Sequence, residues 1–252
     1  MHDSSKLTNA DRDACLPIID LMMECSTTAR SKGVLALEEL VNNQEDEFIT
    51  FAMGLIIDGT DPCLVKGILE TLIHTEMQKE THTEKRHQVR KIITEGVLSV
   101  QAGENPRLME MKLLCFLGES YLRDRGHFDS RKFHGQLDNR LTKLCSKAGL
   151  PESTGFINII QAISKSDIQN VFKEVDSWEL AIALLGCDGA AIKTLMECMS
   201  ARLALMILDD MDNFHLQKLQ TSAILEMQEK IIAIINKLTD EGKIAGHALF
   251  YN

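Results

Sequence analysis

Histidines and carboxylates crowd one stretch of this chain, where His74, His82 and His87 stand among Glu76, Glu80 and Glu84. Imidazole and carboxylate together can ligate zinc or sense pH near neutrality. The spacing argues against a shared metal: His82 and His87 are five apart, poor for one helical face, and no H-E-x-x-H occurs. The thiols offer a second chemistry. Seven cysteines (Cys15, Cys25, Cys63, Cys115, Cys145, Cys187 and Cys198) are scattered with no C-x-x-C pair, mostly on apolar helical stripes, and read as reduced core thiols. Cys25 or Cys115 as a nucleophile would require a paired His and an orienting group, which linear order does not bring together. There is no Gly-rich phosphate loop and no Ser nucleophile elbow. The chain is therefore not expected to be an enzyme, and no cofactor or metal is expected.

What remains is a set of charges that could recognise a partner, and the elements that must position them. Of 252 residues, 44% are hydrophobic, enough to bury a sizeable core. Aromatics are only 5% and prolines 4, against abundant Leu, Ile, Met, Glu and Lys, so an all-α fold is expected. A net charge of −10 repels phosphate backbones, and nucleic acid is not expected as a partner. The odd cysteine count, a polar start (Met1 to Asp13) and the lack of an uncharged run of about 20 apolar residues point to a cytoplasmic chain without membrane insertion.

Pro17 marks the first turn of a helix reaching Arg30, and Gly33 permits a break before Val34, Leu35, Leu37, Leu40 and Val41. Asp61-Pro62 opens a helix with the stripe Leu64, Ile68, Leu72 and Ile73. From there to Ala102 the spacing fits one long helix or a helical hairpin, stopped by Gly103-Glu104-Asn105-Pro106. Tyr121 to Lys147 is highly charged and reads as a connecting helix. Beyond Gly149, Pro151 and Gly155, helical spacing recurs in Phe156, Ile159, Ile160, Ile163 and again in Ile168, Val171, Phe172, Val175. Asp176 with Glu179 suggests a capping box, Asp188 and Ser200 suggest two further caps, and Ile224, Met227, Ile231, Ile235 and Leu238 line a last long helix. Met196, Met199, Met206 and Met211 fit core gaps. Short capped helices of this kind build a bundle.

Two ordered sets of motifs resemble known families. Ala29-Arg30-Ser31-Lys32-Gly33-Val34-Leu35-Ala36-Leu37-Glu38, then Gly54-Leu55-Ile56-Ile57-Asp58-Gly59-Thr60-Asp61-Pro62, are similar to the cytoplasmic loop of the flagellar stator family MotA. Glu95-Gly96-Val97-Leu98-Ser99-Val100-Gln101-Ala102-Gly103-Glu104-Asn105-Pro106-Arg107 resembles that family's cytoplasmic tail. The two transmembrane helices that separate loop and tail there are replaced here by the polar stretch around Thr81 to Arg90. The second resemblance is to the C-terminal domain of the rotor family FliG. It rests on Ile168-Gln169, Lys173-Glu174-Val175-Asp176, Leu180-Ala181, Met199-Ser200, Asp209-Asp210 and Glu241-Gly242 in order. Ser164-Lys165-Ser166-Asp167 stands where that family typically carries two acids, a basic residue and Ser, and Asn213-Phe214-His215-Leu216 replaces its Gly-Pro-Val-Arg linker.

The resemblances imply a MotA-cytoplasmic-like segment at 1–125, a connecting helix and linker at 126–155, and a FliG-like domain at 156–252. They imply an interaction protein of bacterial motility and chemotaxis at the rotor–stator interface. Its partners would be the rotor switch ring and stator proteins, at the cytoplasmic face of the flagellar base; self-association stays open. Arg30 and Glu38 match the stator charges thought to meet the rotor, and eight residues of one helix would set them on one side, two turns apart. Lys165, Asp167, Lys173 and Glu174 are the corresponding rotor-side candidates. The other reading is a divergent structural subunit of the switch ring with no charge-based stator contact.

Overall fold

A computed structural model describes residues 8–42, 44–78, 83–216 and 219–245, with the side chains of 215 and 216 left out. Among the described residues the only regular structure is helical, and the chain divides into two compact units, Met1–Phe128 and Asp129–Asn252, each with its own apolar core.

Unit 1 comprises α1 (Asn9–Asp13), α2 (Leu16–Lys32), α3 (Leu37–Val41), α4 (Glu47–Ile57), α5 (Pro62–Met77), α6 (Glu84–Gln101), α7 (Pro106–Leu114) and α8 (Glu119–Asp124). Helix α6 is its axis, packed against α2, α4, α5 and α7. It can sit so close to α2 because Gly96 has no side chain: a Cβ there would lie 2.5 Å from Cγ of Met22. The hairpin is the alternative that forms. Helix α5 stops at Met77, α6 restarts behind the N-cap Thr83, and the two pack on each other. Asp61 caps α5 by accepting from the amides of Cys63 (2.8 Å) and Leu64 (3.4 Å).

Of the stripe expected on α5, Ile73 is buried and the other three residues are not. Val65, Leu69 and Ile73 enter the core, while Leu64, Ile68 and Leu72 are exposed. With apolar residues on two sides of one helix, periodicity alone cannot choose between them.

Unit 2 comprises α9 (Ser130–Leu144), α10 (Thr154–Ala162), α11 (Lys165–Val171), α12 (Ser177–Leu185), α13 (Gly189–Met196), α14 (Ala201–Leu216) and α15 (Thr221–Asp240). Helix α12 is the inner one, with Leu180 to Leu184 buried between α14 and α15. Helix α9, part of the stretch read as a connector, packs into this unit through Leu137 and Leu141 against α13 and α14. Helix α14 runs through Asn213 to Leu216, where no Gly or Pro stands to break it.

The local caps follow their residues. Asp188 accepts from the amide of Ala191 (2.7 Å) and Ser200 from that of Leu203 (3.3 Å). Asp176 makes no side-chain cap bond, so the expected box is absent. Glu179 is buried and paired instead with Lys230 of α15. A tertiary ion pair has taken the carboxylate that the local motif would use. Gln228, also buried on α15, donates to the Ala183 carbonyl (2.8 Å) and to Ser153 Oγ (3.0 Å), fastening α15 to the end of α12.

Four thiols are core residues as expected (Cys15, Cys25, Cys187 and Cys198), but Cys63, Cys115 and Cys145 are exposed. Burial raises the Cys25 and Cys187 thiols to about 12, which leaves them protonated and inert.

Candidate functional site

The candidate site of unit 1 is the corner where α2 ends. Gly33 terminates that helix at φ +86°, a conformation that excludes the helix's continuation and disfavours any side chain. Val34–Ala36 then form one turn of 3-10 helix before α3 begins. Arg30 and Glu38 therefore lie on separate elements, and their expected placement two turns apart on one helix does not occur. Glu38 is exposed in the first turn of α3, whereas Arg30 is half-buried.

Arg30 donates from Nη1 to the Gly103 carbonyl at 2.6 Å. Gly103 belongs to the turn joining α6 to α7, where the last carbonyls of α6 have no intrahelical donor, so a guanidinium there is stabilising. The same turn is held twice more. Ser26 Oγ donates to the Glu104 carbonyl (3.3 Å), and Lys112 Nζ pairs with Glu95 (2.5 Å) and Glu104 (3.1 Å) and reaches Ser99 Oγ (3.2 Å). Burial lowers the Lys112 pKa, but its bonds to Glu95 and Glu104 outweigh that and raise it. The segments that resemble a loop and a tail in separate parts of MotA are thus stitched directly together.

The histidine-rich stretch is organised by arginines. His82 and Glu80 lie outside the described residues. Arg90 is buried, stacks 4.3 Å from the centroid of Phe48, donates to Asp46 at 2.6 Å and pairs with Glu76 at 3.5 Å. Glu76 also meets Arg86 at 3.2 Å. Burial raises the Glu76 carboxyl, but hydrogen bonds and charge from Arg86 and Arg90 outweigh it and hold the pKa below the ordinary carboxylate range. No group of His, Cys, Asp and Glu suited to a metal forms among the described residues. A cleft of about 490 Å³ beside Arg90 is walled by charges of both signs, including Glu45, Glu47 and Lys85.

In unit 2, α11 carries the other candidates. Ser164 caps it, accepting from the Asp167 amide (3.2 Å) and donating to the Asp167 carboxylate (2.8 Å). Asp167 is therefore engaged in starting its own helix. Lys165 is exposed on the first turn, its helix held down by buried Ile168 and Val171. Lys173 and Glu174 fall past the end of α11, in the turn after Phe172, and are exposed; Lys173 Nζ donates to Asn170 Oδ1 (3.0 Å). Asn170 in turn donates to the Lys243 carbonyl (3.4 Å), and Lys243 pairs with Glu241 (2.7 Å), which adds that segment to the same charged edge.

Linear reading missed two apolar features. The exposed face of α5 is one. The other is the tip of the 3-10 turn, where Leu35 is 69% exposed and Val34 40%. Their only sequence signal is a surplus of apolar residues over what one helix face can bury.

Residues 153–245 match the FliG C-terminal domain family. The chain is 38% identical over 85 residues to the flagellar motor switch protein FliG of Aquifex aeolicus, covering 34% of this chain and 25% of that protein. It is 26% identical over 216 residues to FliG of Thermotoga maritima, covering 82% of this chain and 62% of the relative. It is also 24% identical over 173 residues to motility protein A of Borreliella burgdorferi, covering 41% of this chain and 66% of that protein. The chain thus spans between a quarter and two thirds of the length of these relatives, and no solved structure matches it. None of the described helices is long and apolar enough to cross a membrane. The polypeptide is FliG-like, with a FliG C-terminal match in its second unit, and it bears a MotA-like likeness in the same chain.

Proposed function

We propose that this chain is a cytoplasmic interaction protein of the flagellar motor, acting at the rotor–stator interface. Its second unit serves as a rotor-like module that meets switch-ring proteins, and its first unit is a stator-like surface freed from membrane helices. One observation carries the reading: likenesses to the two sides of one contact stand in a single chain whose two units each have a complete core. A water-exposed copy of one partner's surface can occupy the other's site without moving ions. The exposed charges Glu38, Lys165, Lys173 and Glu174 suit such a contact, since exposed ions act on encounter and selectivity more than on stability. The test is binding of the full chain to purified FliG C-terminal domain and to purified stator protein at low and high salt. Salt-sensitive binding to at least one is expected, and no binding to either at any salt would end the proposal.

A second reading is favoured by Asp167, whose carboxylate is tied into the cap of α11. A divergent ring subunit would use unit 2 for assembly and make no charge-based stator contact. Incorporation into rings, unaffected by Glu38→Lys, would favour it over the first.

A further inference from the structure

Arg30 and Leu35 divide the labour of the α2–α3 corner in a way that a charge-for-charge contact does not anticipate. Arg30 spends its Nη1 on the Gly103 carbonyl at 2.6 Å and is half-buried, so it secures the end of α2 to the α6–α7 turn. Leu35, five residues on, is the most exposed large apolar side chain among the described residues, at 69%.

The turn that carries Leu35 is firmly seated. Leu37 and Val41 are buried immediately after it, and the 3-10 segment packs on α2, α3 and α4. A turn that is already ordered spares the cost of ordering its backbone when a partner covers the side chain it carries. It is framed by charge of opposite sign, with Lys32 exposed on the α2 side and Glu38 on the α3 side. An apolar centre with a polar rim is the anatomy of a protein contact.

We propose that the 3-10 turn Val34–Ala36 is the recognition tip of unit 1, with Leu35 as its apolar anchor and Arg30 as the positioning residue that holds the tip in place. The partner it fits is a folded protein surface with a leucine-sized apolar socket, carrying a carboxylate on the side that meets Lys32 and a basic group on the side that meets Glu38. This rests on the rotor–stator reading above, and it moves the decisive contact from the Arg30 charge to Leu35.

The test uses the full chain with the purified FliG C-terminal domain as probe, at low and high salt, and hydrogen exchange of the free protein. Leu35→Ser is expected to weaken binding at least tenfold at both salts with little change in Tm, because most of the side chain is already in water in the free protein. Glu38→Gln is expected to weaken it only a few-fold, and at low salt alone. Arg30→Ala is expected to weaken binding at both salts and to speed amide exchange across residues 30–41 and 103–105, and Arg30→Lys, which keeps a donor for Gly103, is expected to recover both. Wild-type binding matched by Leu35→Ser would overturn the anchor while leaving the rotor–stator reading intact. An Arg30→Ala defect that vanishes at high salt with unchanged exchange would overturn the positioning role. Failure of the wild type to bind overturns this inference, and failure with the stator protein as well removes the reading on which it rests.

Discussion

The guanidinium of Arg90 lies over the ring of Phe48, 4.3 Å from its centroid, while its Nη1 donates to Asp46 at 2.6 Å. One buried side chain from α6 therefore joins both the N-cap and the first turn of α4, and its pairing with Glu76 adds α5. Arg90→Ala would remove the stacking and both ion pairs, leaving Asp46 with only its cap bond from the Phe48 amide and Glu76 with only Arg86. A loss of about 2–4 kcal/mol is expected in urea melts. Arg90→Lys should not restore it, because an ammonium can neither stack flat nor donate in two directions from one plane.

Acid should weaken the same cluster. The Glu76 pKa is below its ordinary value of 4.5 in the folded protein, so the ionised form is the one the fold favours. The stabilisation is then fully present above about pH 4.5, where the unfolded chain ionises it too, and is lost as pH falls through the lower folded value. Thermal melts from pH 7 to pH 3 should show Glu76→Gln less stable than wild type at neutrality, with the gap closing below pH 4.5. A constant gap would show that Glu76 acts by packing alone.

Two glycines should respond to one added methyl in graded fashion. At Gly189 a Cβ would fall 1.9 Å from the Leu144 carbonyl oxygen, a backbone atom at the end of α9. Gly189→Ala is expected to cost at least about 3 kcal/mol and to open α9 from the rest of unit 2. At Gly96 the obstacle is the Met22 side chain at 2.5 Å, which can shift in part. Gly96→Ala should cost about 1–3 kcal/mol, and the double variant with Met22→Ala should cost less than the sum of the two single changes, because the methyl fills part of the space that Met22 vacates. Chemical denaturation of the single and double variants checks both.

The Glu179–Lys230 pair predicts an asymmetry. Glu179 is buried while Lys230 is half-exposed. Lys230→Ala strands a buried carboxylate, for which about 1–3 kcal/mol is expected, whereas the double change Glu179→Gln with Lys230→Ala should be milder. A double-mutant cycle on Tm measures the difference.

Thiol reactivity should split the cysteines. Exposed Cys63, Cys115 and Cys145 are expected to react with a thiol reagent at pH 8 in the native protein. The remaining four, including Cys25 and Cys187 with thiols raised to about 12, should react only after denaturation. Mass spectrometry of the labelled chain counts the sites.

What the sequence determined by itself was local or one-sided. The caps at Asp61, Asp188 and Ser200 form because donor and acceptor lie within three residues, and the α15 stripe of Ile224, Ile231, Ile235 and Leu238 is buried because that helix has one apolar face. The ordered motifs were enough to point to FliG and MotA. Tertiary structure decided wherever a residue had two uses. It chose Val65, Leu69 and Ile73 over Leu64, Ile68 and Leu72 on a helix apolar on both sides, and drew Glu179 from a local cap to Lys230. It also put Arg30 and Glu38 on different helices through Gly33 and committed Arg30 to Gly103. Such choices depend on which neighbour arrives across the core, and spacing along the chain carries no record of that.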